Sequence, residues 1–332
     1  MIPDVSAMMR WLWTTLGQRS HPRLLSTSGF QIIDASVKVD EEQLEHYKPS
    51  RFYHINIHDI LDSRYQVLSK LGYGSCSTVW LSHDIMFVNF PFAYLFINTL
   101  NNSRQGYVAI KVCISNYLSI EHERATYAHL QDALRTHSGE SSPVRSSLAD
   151  FELPGAEGSH CCFVFEPLTI DLEATRAVIQ FDEALFKTIA FYLFRALEFI
   201  HTKAQMVHCS ASRYSWHLLS CNINQDIRPE NLCLTVIDKT TFQSLESLES
   251  VRPSPRKIYS NRIIYEGVGQ VIPEDKRLLG TPVLCDFGEA RFGQKYYEDP
   301  IQPFMYQAPE VVFKIPWSYP ADIWNAGVMA SV

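Results

Sequence analysis

The 332-residue chain has no hydrophobic run long enough to cross a bilayer as a helix, which takes roughly 20 residues. Its most apolar stretch, 85–97, is broken by Asn89 and Pro91. It has no C-x-x-C pair. Its eight cysteines are scattered, with only Cys161 and Cys162 adjacent, which points to reduced intracellular thiols and away from a zinc site or a disulfide framework. It has no basic excess: 29 Lys and Arg face 36 Asp and Glu, a net charge of −7. That balance disfavours direct nucleic-acid binding and suits a basic peptide partner. What remains is an ordinary globular composition, 46% hydrophobic and 20% charged, on a chain long enough for one large domain or two lobes.

The first residues carry Arg10, Arg19 and Arg23 against Asp4, with Trp11, Leu12, Trp13 and Leu16 between them. Such a segment is expected to be a disordered tail over 1–34, with an amphipathic mitochondrial presequence as the alternative. Residues 35–64 read as a lead-in without chemistry of its own. A strand pattern then begins at Tyr65, Val67 and Leu68 and runs into Leu71-Gly72-Tyr73-Gly74-Ser75-Cys76-Ser77-Thr78-Val79. Glycines in such a hairpin let backbone N–H groups approach phosphates, because no Cβ blocks the way. The next strand, Tyr107-Val108-Ala109-Ile110-Lys111, ends on a lysine, and a helix over 120–134 follows. That helix offers Glu123 as an ion-pair partner for Lys111, with Glu121 as competitor. Two strands come next, near 148–153 and 160–166, and the second leads into Glu166-Pro167-Leu168. Asp182 is placed to cap a core helix in which Leu185, Ile189, Tyr192, Leu193, Ala196, Leu197 and Ile200 recur at helical spacing.

Downstream stand Asp226-Ile227-Arg228-Pro229-Glu230-Asn231, a polar linker over 235–279, a short buried strand at Val283-Leu284-Cys285, and Asp286-Phe287-Gly288 where that strand opens into a loop. Ala308-Pro309-Glu310 and then Asp322, Trp324 and Gly327 complete the series. Each motif alone is weak. In this order they resemble a eukaryotic protein kinase. Arg64-Tyr65-Gln66-Val67, Phe151-Glu152-Leu153-Pro154-Gly155, Pro253-Ser254-Pro255-Arg256-Lys257, Ile301-Gln302-Pro303 and Ile315-Pro316-Trp317-Ser318-Tyr319 narrow the resemblance to the SR-protein kinase family, its fungal members especially. The likeness covers 35–332.

The resemblance implies an α+β, two-lobed fold with a small β-rich N-lobe and hinge over 65–168 and a larger helical, incomplete C-lobe over 169–332. It implies transfer of phosphate from Mg²⁺-bound ATP to Ser in Arg/Ser-rich proteins, hence a part in splicing regulation, by a monomer in cytoplasm and nucleus with no membrane or nucleic-acid contact. In that scheme Leu71, Gly72, Gly74, Ser77, Val79, Ala109, Lys111, Glu166 and Leu168 hold the nucleotide, and Asn231 and Asp286 hold the metal. Asp226, Arg228, Lys111 and Glu123 carry the chemistry, and Asp322 braces the loop of His208 and Asp226.

The sequence departs from the family in several places. Residues 83–105 overfill the second hairpin, and 209–225 separate His208 from Asp226. Both are expected to be unspliced or mispredicted segments and not evolved insertions. Arg228 replaces the catalytic-loop lysine, keeping the charge but not the shape. Gln225 stands where an activation-loop-binding arginine would be, so activation-loop phosphorylation is not implied. With the C-terminal helices of the large lobe missing, the chain is expected to be poorly soluble and inactive. The competing readings are a non-catalytic kinase-fold binding protein and a defective gene product.

Overall fold

The computed structural model describes residues 22–23, 28–86, 106–136, 142–208, 227–238, 240–259, 261–293, 295–302 and 306–331. A six-stranded antiparallel sheet organises the first part. Its strands are β1 (Ile60–Leu61), β2 (Tyr65–Gly74), β3 (Ser77–Asp84), β4 (Tyr107–Cys113), β5 (Ala149–Gly155) and β6 (Gly158–Phe165), in the order β1-β2-β3-β4-β6-β5. The register sets Val79 opposite Lys111 and Ala109 opposite Phe165. His83 pairs with Tyr107, so β3 continues through Asp84, past the point where the segment over 83–105 was expected to leave it.

Alternate residues of β4 point to opposite faces, and both faces are covered. Ala109 and Cys113 meet helix α1 (Ile120–Arg135) through Tyr127 and Leu130, while Val108, Ile110 and Val112 join Trp80, Phe242 and Tyr265. A sheet buried on both sides needs apolar residues in sequence, which is why these strands show no polar alternation.

The cover on the second face corrects the reading of 235–279 as a polar linker. That segment forms helix α4 (Thr240–Val251), the ribbon of β9 (Arg256–Ile258) and β10 (Ile263–Tyr265), and part of β11 (Leu279–Leu284). Phe242 is fully buried, and Glu246 hydrogen-bonds the Tyr107 hydroxyl. The helix was illegible because one aromatic carries its contact, while its serines and glutamates look solvated.

The lead-in is equally engaged. Lys70 is 1% exposed, and its ammonium reaches Asp40 at 3.0 Å, Glu41, and the Tyr265 carbonyl at 2.9 Å. Glu42 takes Lys257 at 2.8 Å. The segment over 35–64 therefore buries acidic side chains against cations of the sheet and of the β9–β10 ribbon. Residues within the expected tail also bind: Ile32 bridges Arg256 in parallel, and Arg23 contacts Glu246 and Tyr107.

The second part is built on helices α2 (Leu172–Val178), α3 (Glu183–Thr202), α5 (Pro309–Val312) and α6 (Pro320–Ser331). The Asp182 carboxylate accepts from the Leu185 N–H and caps α3. Ile189, Leu193, Ala196, Leu197 and Ile200 bury its inner face in the core that α1 also enters. Two short ribbons complete this part. In one, β7 (Met206–Val207) pairs with β12 (Arg291–Phe292), and in the other β8 (Leu232–Val236) pairs with β11. No helix among the described residues is long and apolar enough to cross a membrane.

Candidate active site

A cavity of about 580 Å³ lies between the β2–β3 hairpin and the β8–β11 ribbon. Of the residues singled out in the sequence, Gly74, Ser77, Val79, Lys111, Arg228, Asn231 and Asp286 line it. Leu71, Gly72, Ala109, Glu166 and Leu168 do not line the cavity itself. Asp226 lies outside the described residues, as do 87–105 and 209–225 of the two inserted segments. Neither Gly72 nor Gly74 has a positive φ, and a Cβ on Gly72 would meet nothing within 4 Å. The missing side chain at Gly72 is therefore not required by the turn or by packing.

Strand β4 delivers Lys111 to the cavity, and α1 delivers Glu123 behind it. Lys111 Nζ donates to Glu123 Oε1 at 2.7 Å. Glu123 is fully buried, and its second oxygen, Oε2, has no hydrogen-bond partner. The competitor Glu121 faces solvent and contacts Arg124 at 3.6 Å. Burial works against the charged Lys111, but Glu123 and then Asp286 outweigh it and raise its pKa well above the usual lysine range. Burial raises the Glu123 pKa even though Lys111 opposes it. Gly288 packs closely on this pair: a Cβ there would sit 3.1 Å from the Glu123 carboxyl carbon, so the carboxylate would have to give by a few tenths of an ångström.

Asp286 follows β11 with φ +63°, a left-handed conformation uncommon for a residue with a side chain. Backbone held in such a region is characteristic of functional sites. The adjacent Cys285 N–H donates to the Asn231 carbonyl at 2.8 Å, which brings Asp286 beside Asn231. Phe287 is fully buried and packs its ring edge-on against His208, with centroids 4.8 Å apart. His208 is fixed from several sides. Its N–H donates to Asp322 Oδ2 at 2.9 Å, and its Nε2 bonds the Cys285 carbonyl at 2.9 Å. The same Asp322 oxygen takes His201 Nε2 at 2.8 Å. A fully buried carboxylate on α6 thus ties the end of α3 to the strand leading into Asp286.

Helix α1 is tied to the loop after Asp286 as well. Phe292 stacks on His129 at 4.5 Å and on His122 at 6.1 Å, with planes within 8° and 14° of parallel. His122 Nε2 bonds the Ala290 carbonyl at 2.9 Å and His129 Nε2 the Ala204 carbonyl at 2.6 Å. Further on, Arg291 pairs with Asp299 at 2.6 Å, and Tyr297 stacks on Trp317 at 4.8 Å.

The cavity also contains residues that the motifs did not reveal: Leu44, Tyr73, Tyr117, Tyr127, Arg145, Phe165, Cys233 and Cys285. Arg145 had no signal in the sequence, because it belongs to no motif and to no periodic segment. Cys113, Cys161, Cys162, Cys233 and Cys285 are free. Burial raises the Cys285 pKa, but the Cys233 thiol and the Arg145 charge more than offset that and hold it below the usual range.

The Lys111–Glu123 pair, Asp286 with its positive φ, Asn231 and the glycine hairpin thus come together around one cavity. No family model matches the chain. Known proteins do. A serine/threonine protein kinase of Aspergillus fumigatus is 33% identical over 313 residues, covering 93% of this chain and 67% of that protein. The chain belongs to the serine/threonine protein kinases. The kinase is also similar to the serine/threonine-protein kinase SRPK of Physarum polycephalum, 24% identical over 308 residues, 87% of this chain and 65% of that one. SRSF protein kinase 3 of Sus scrofa is 27% identical over 255 residues, 72% of this chain and 38% of that one. The kinase fold that follows from these relatives agrees with the six-stranded sheet and the several helices of the structure.

Proposed function

We propose that this kinase, with the sheet and the helical region as its two lobes, transfers phosphate from Mg²⁺-bound ATP to serine hydroxyls in Arg/Ser-rich proteins. It would act as a monomer in cytoplasm and nucleus. The observation that carries the reading is the Lys111–Glu123 ion pair, whose lysine lines the cavity together with Asp286. The substrate class is supported by the relatives named SRPK and SRSF protein kinase 3 and by a net charge of −7, which favours encounter with arginine-rich segments.

The residues fit magnesium. Asp286 and Asn231 both line the cavity and offer a carboxylate and an amide oxygen, the hard oxygen donors this ion takes. When bound there, magnesium would neutralise phosphate charge. Lys111, kept protonated by the carboxylates facing it, would hold phosphate oxygens. Asp226 would accept the proton of the serine hydroxyl at its carboxylate. Arg228, 3.7 Å from Glu230, would bring a second cation to the transferred group.

The test is phosphate transfer to an Arg/Ser peptide by the full chain and by Lys111→Met. The variant is expected to fold and to lose at least about a hundredfold in kcat, since phosphoryl-transfer catalysis is mainly electrostatic. Equal and measurable turnover by parent and variant would refute the assignment. A parent that binds nucleotide but transfers nothing would leave a non-catalytic binding protein.

A further inference from the structure

Resting on the reading of the cavity as the site of Mg²⁺-bound ATP, we propose that Arg145 is a positioning residue. It holds the two walls of that cavity at the separation at which one nucleotide–metal complex touches both.

One wall comes from the sheet and includes Val79, Lys111 and Phe165. The other comes from the β8–β11 ribbon and its ends, and includes Asn231, Cys233 and Asp286. Arg145 also lines the cavity and is fixed to both walls. Its backbone lies on the ribbon: the N–H donates to the Leu284 carbonyl at 2.8 Å, and Val144 forms a parallel bridge with the same residue. Leu284 stands two residues before Asp286. Its side chain lies on the sheet. The guanidinium sits 4.6 Å from the centre of the Phe165 ring, and Nη2 donates to the Glu166 carbonyl at 3.0 Å, one residue past the end of β6. Glu166 serves here as an anchor on the sheet, outside the cavity itself.

Packing alone does not call for arginine at this place. An apolar side chain would cover Phe165 without taking a cation out of water, which is costly. Arg145 Nε adds to that cost, since it is buried without a hydrogen-bond partner. What arginine supplies is a planar fork that stacks on a ring and donates to a carbonyl at once. A bond from an ionised donor is also roughly twice as strong as a neutral one. The result is a single side chain that ties the end of β6 to the strand feeding Asp286.

The separation of the walls matters for a ligand that spans them. Phosphate oxygens held by Lys111 belong to the sheet wall, and magnesium held by Asp286 and Asn231 belongs to the ribbon wall. Metal binding therefore joins the two, and its contribution to nucleotide affinity depends on how often the walls stand at the right distance. Without metal, ATP loses that link to the ribbon and is less sensitive to the distance. Loosening Arg145 lowers the population of the competent arrangement, and apparent affinity falls by the same fraction. Saturating nucleotide with metal restores the arrangement, so turnover is affected less than affinity.

The experiment measures ATP affinity of the full chain with and without Mg²⁺, in the parent, Arg145→Met and Arg145→Lys. Methionine keeps apolar cover on Phe165 and removes every donor. In Arg145→Met the gain in affinity brought by Mg²⁺ is expected to shrink about tenfold, as when the competent arrangement falls to about a tenth of its population. Metal-free affinity is expected to stay within about twofold. In peptide phosphorylation, KM for ATP is expected to rise in proportion while kcat falls at most about threefold. Arg145→Lys keeps the charge but not the fork, so its loss is expected to lie between the two. It carries the same comparison if Arg145→Met does not fold. A folded variant that loses metal-free and metal-bound affinity equally, as a merely structural residue would, overturns the positioning role. So does one that loses neither. A parent that binds no ATP, or binds it indifferently to Mg²⁺, overturns the nucleotide–metal reading of the cavity and the proposal with it.

Discussion

At the scale of single residues, His83 links burial to pH. It lies on β3, 6% exposed, edge-on to the Tyr107 ring at 5.7 Å, and its Nδ1 has no hydrogen-bond partner. Burial first, then the Arg23 charge, lowers its pKa to about 4, with Asp84 opposing. The unfolded chain takes up a proton near pH 6.5 while the folded chain does not, so stability is full above that value. It declines as pH falls toward about 4. His83→Gln removes the titration. The parent is expected to lose about 2 kcal/mol more than the variant between about pH 8 and about pH 5. Urea midpoints at both pH values measure this, and parallel losses in the two proteins would contradict it.

At the scale of elements, α1 matters most, because it carries Glu123 to Lys111. The helix is fastened through His122 and His129 to Phe292 of β12 and to two backbone carbonyls that flank the β7–β12 ribbon. An aromatic pair contributes about 0.5–1.5 kcal/mol beyond its buried area. Phe292→Leu keeps an apolar side chain but removes both stacks. Amide exchange over 120–135 is expected to quicken roughly three- to tenfold, with that of α3 unchanged and Phe292→Tyr close to the parent. If α1 exchanges equally in Phe292→Leu and parent, the stacks do not hold the helix.

At the scale of the whole molecule, the cavity lies between the β2–β3 hairpin and the β8–β11 ribbon, so a ligand there stabilises both. A nucleotide with Mg²⁺ at about a hundred times its Kd is expected to add about 2.7 kcal/mol. The magnesium-dependent part of that gain should vanish with a chelator and in Asp286→Asn, while the metal-independent part persists. Thermal unfolding with and without metal reads the difference. An Asp286→Asn chain that keeps the full magnesium-dependent gain would remove Asp286 from the metal site.

The sequence by itself determined which groups exist and in what order: Lys111 at a strand end, a helix with glutamates after it, Asn231, and Asp286 two residues before a glycine. Phosphate and metal chemistry needs particular residue types at short spacings, and short spacings are visible in one dimension. Periodicity likewise marked α3 and its Asp182 cap, because a helix buries residues three and four apart. The tertiary structure alone decided between Glu123 and Glu121, since each lies on α1 and only the facing strand selects one. It alone placed Phe242, Lys70 and Arg145, whose partners lie far away in the chain. A buried lysine between Asp40 and Glu41, or an arginine over Phe165, has no local signature, because the burial that gives it meaning comes from segments brought together only on folding.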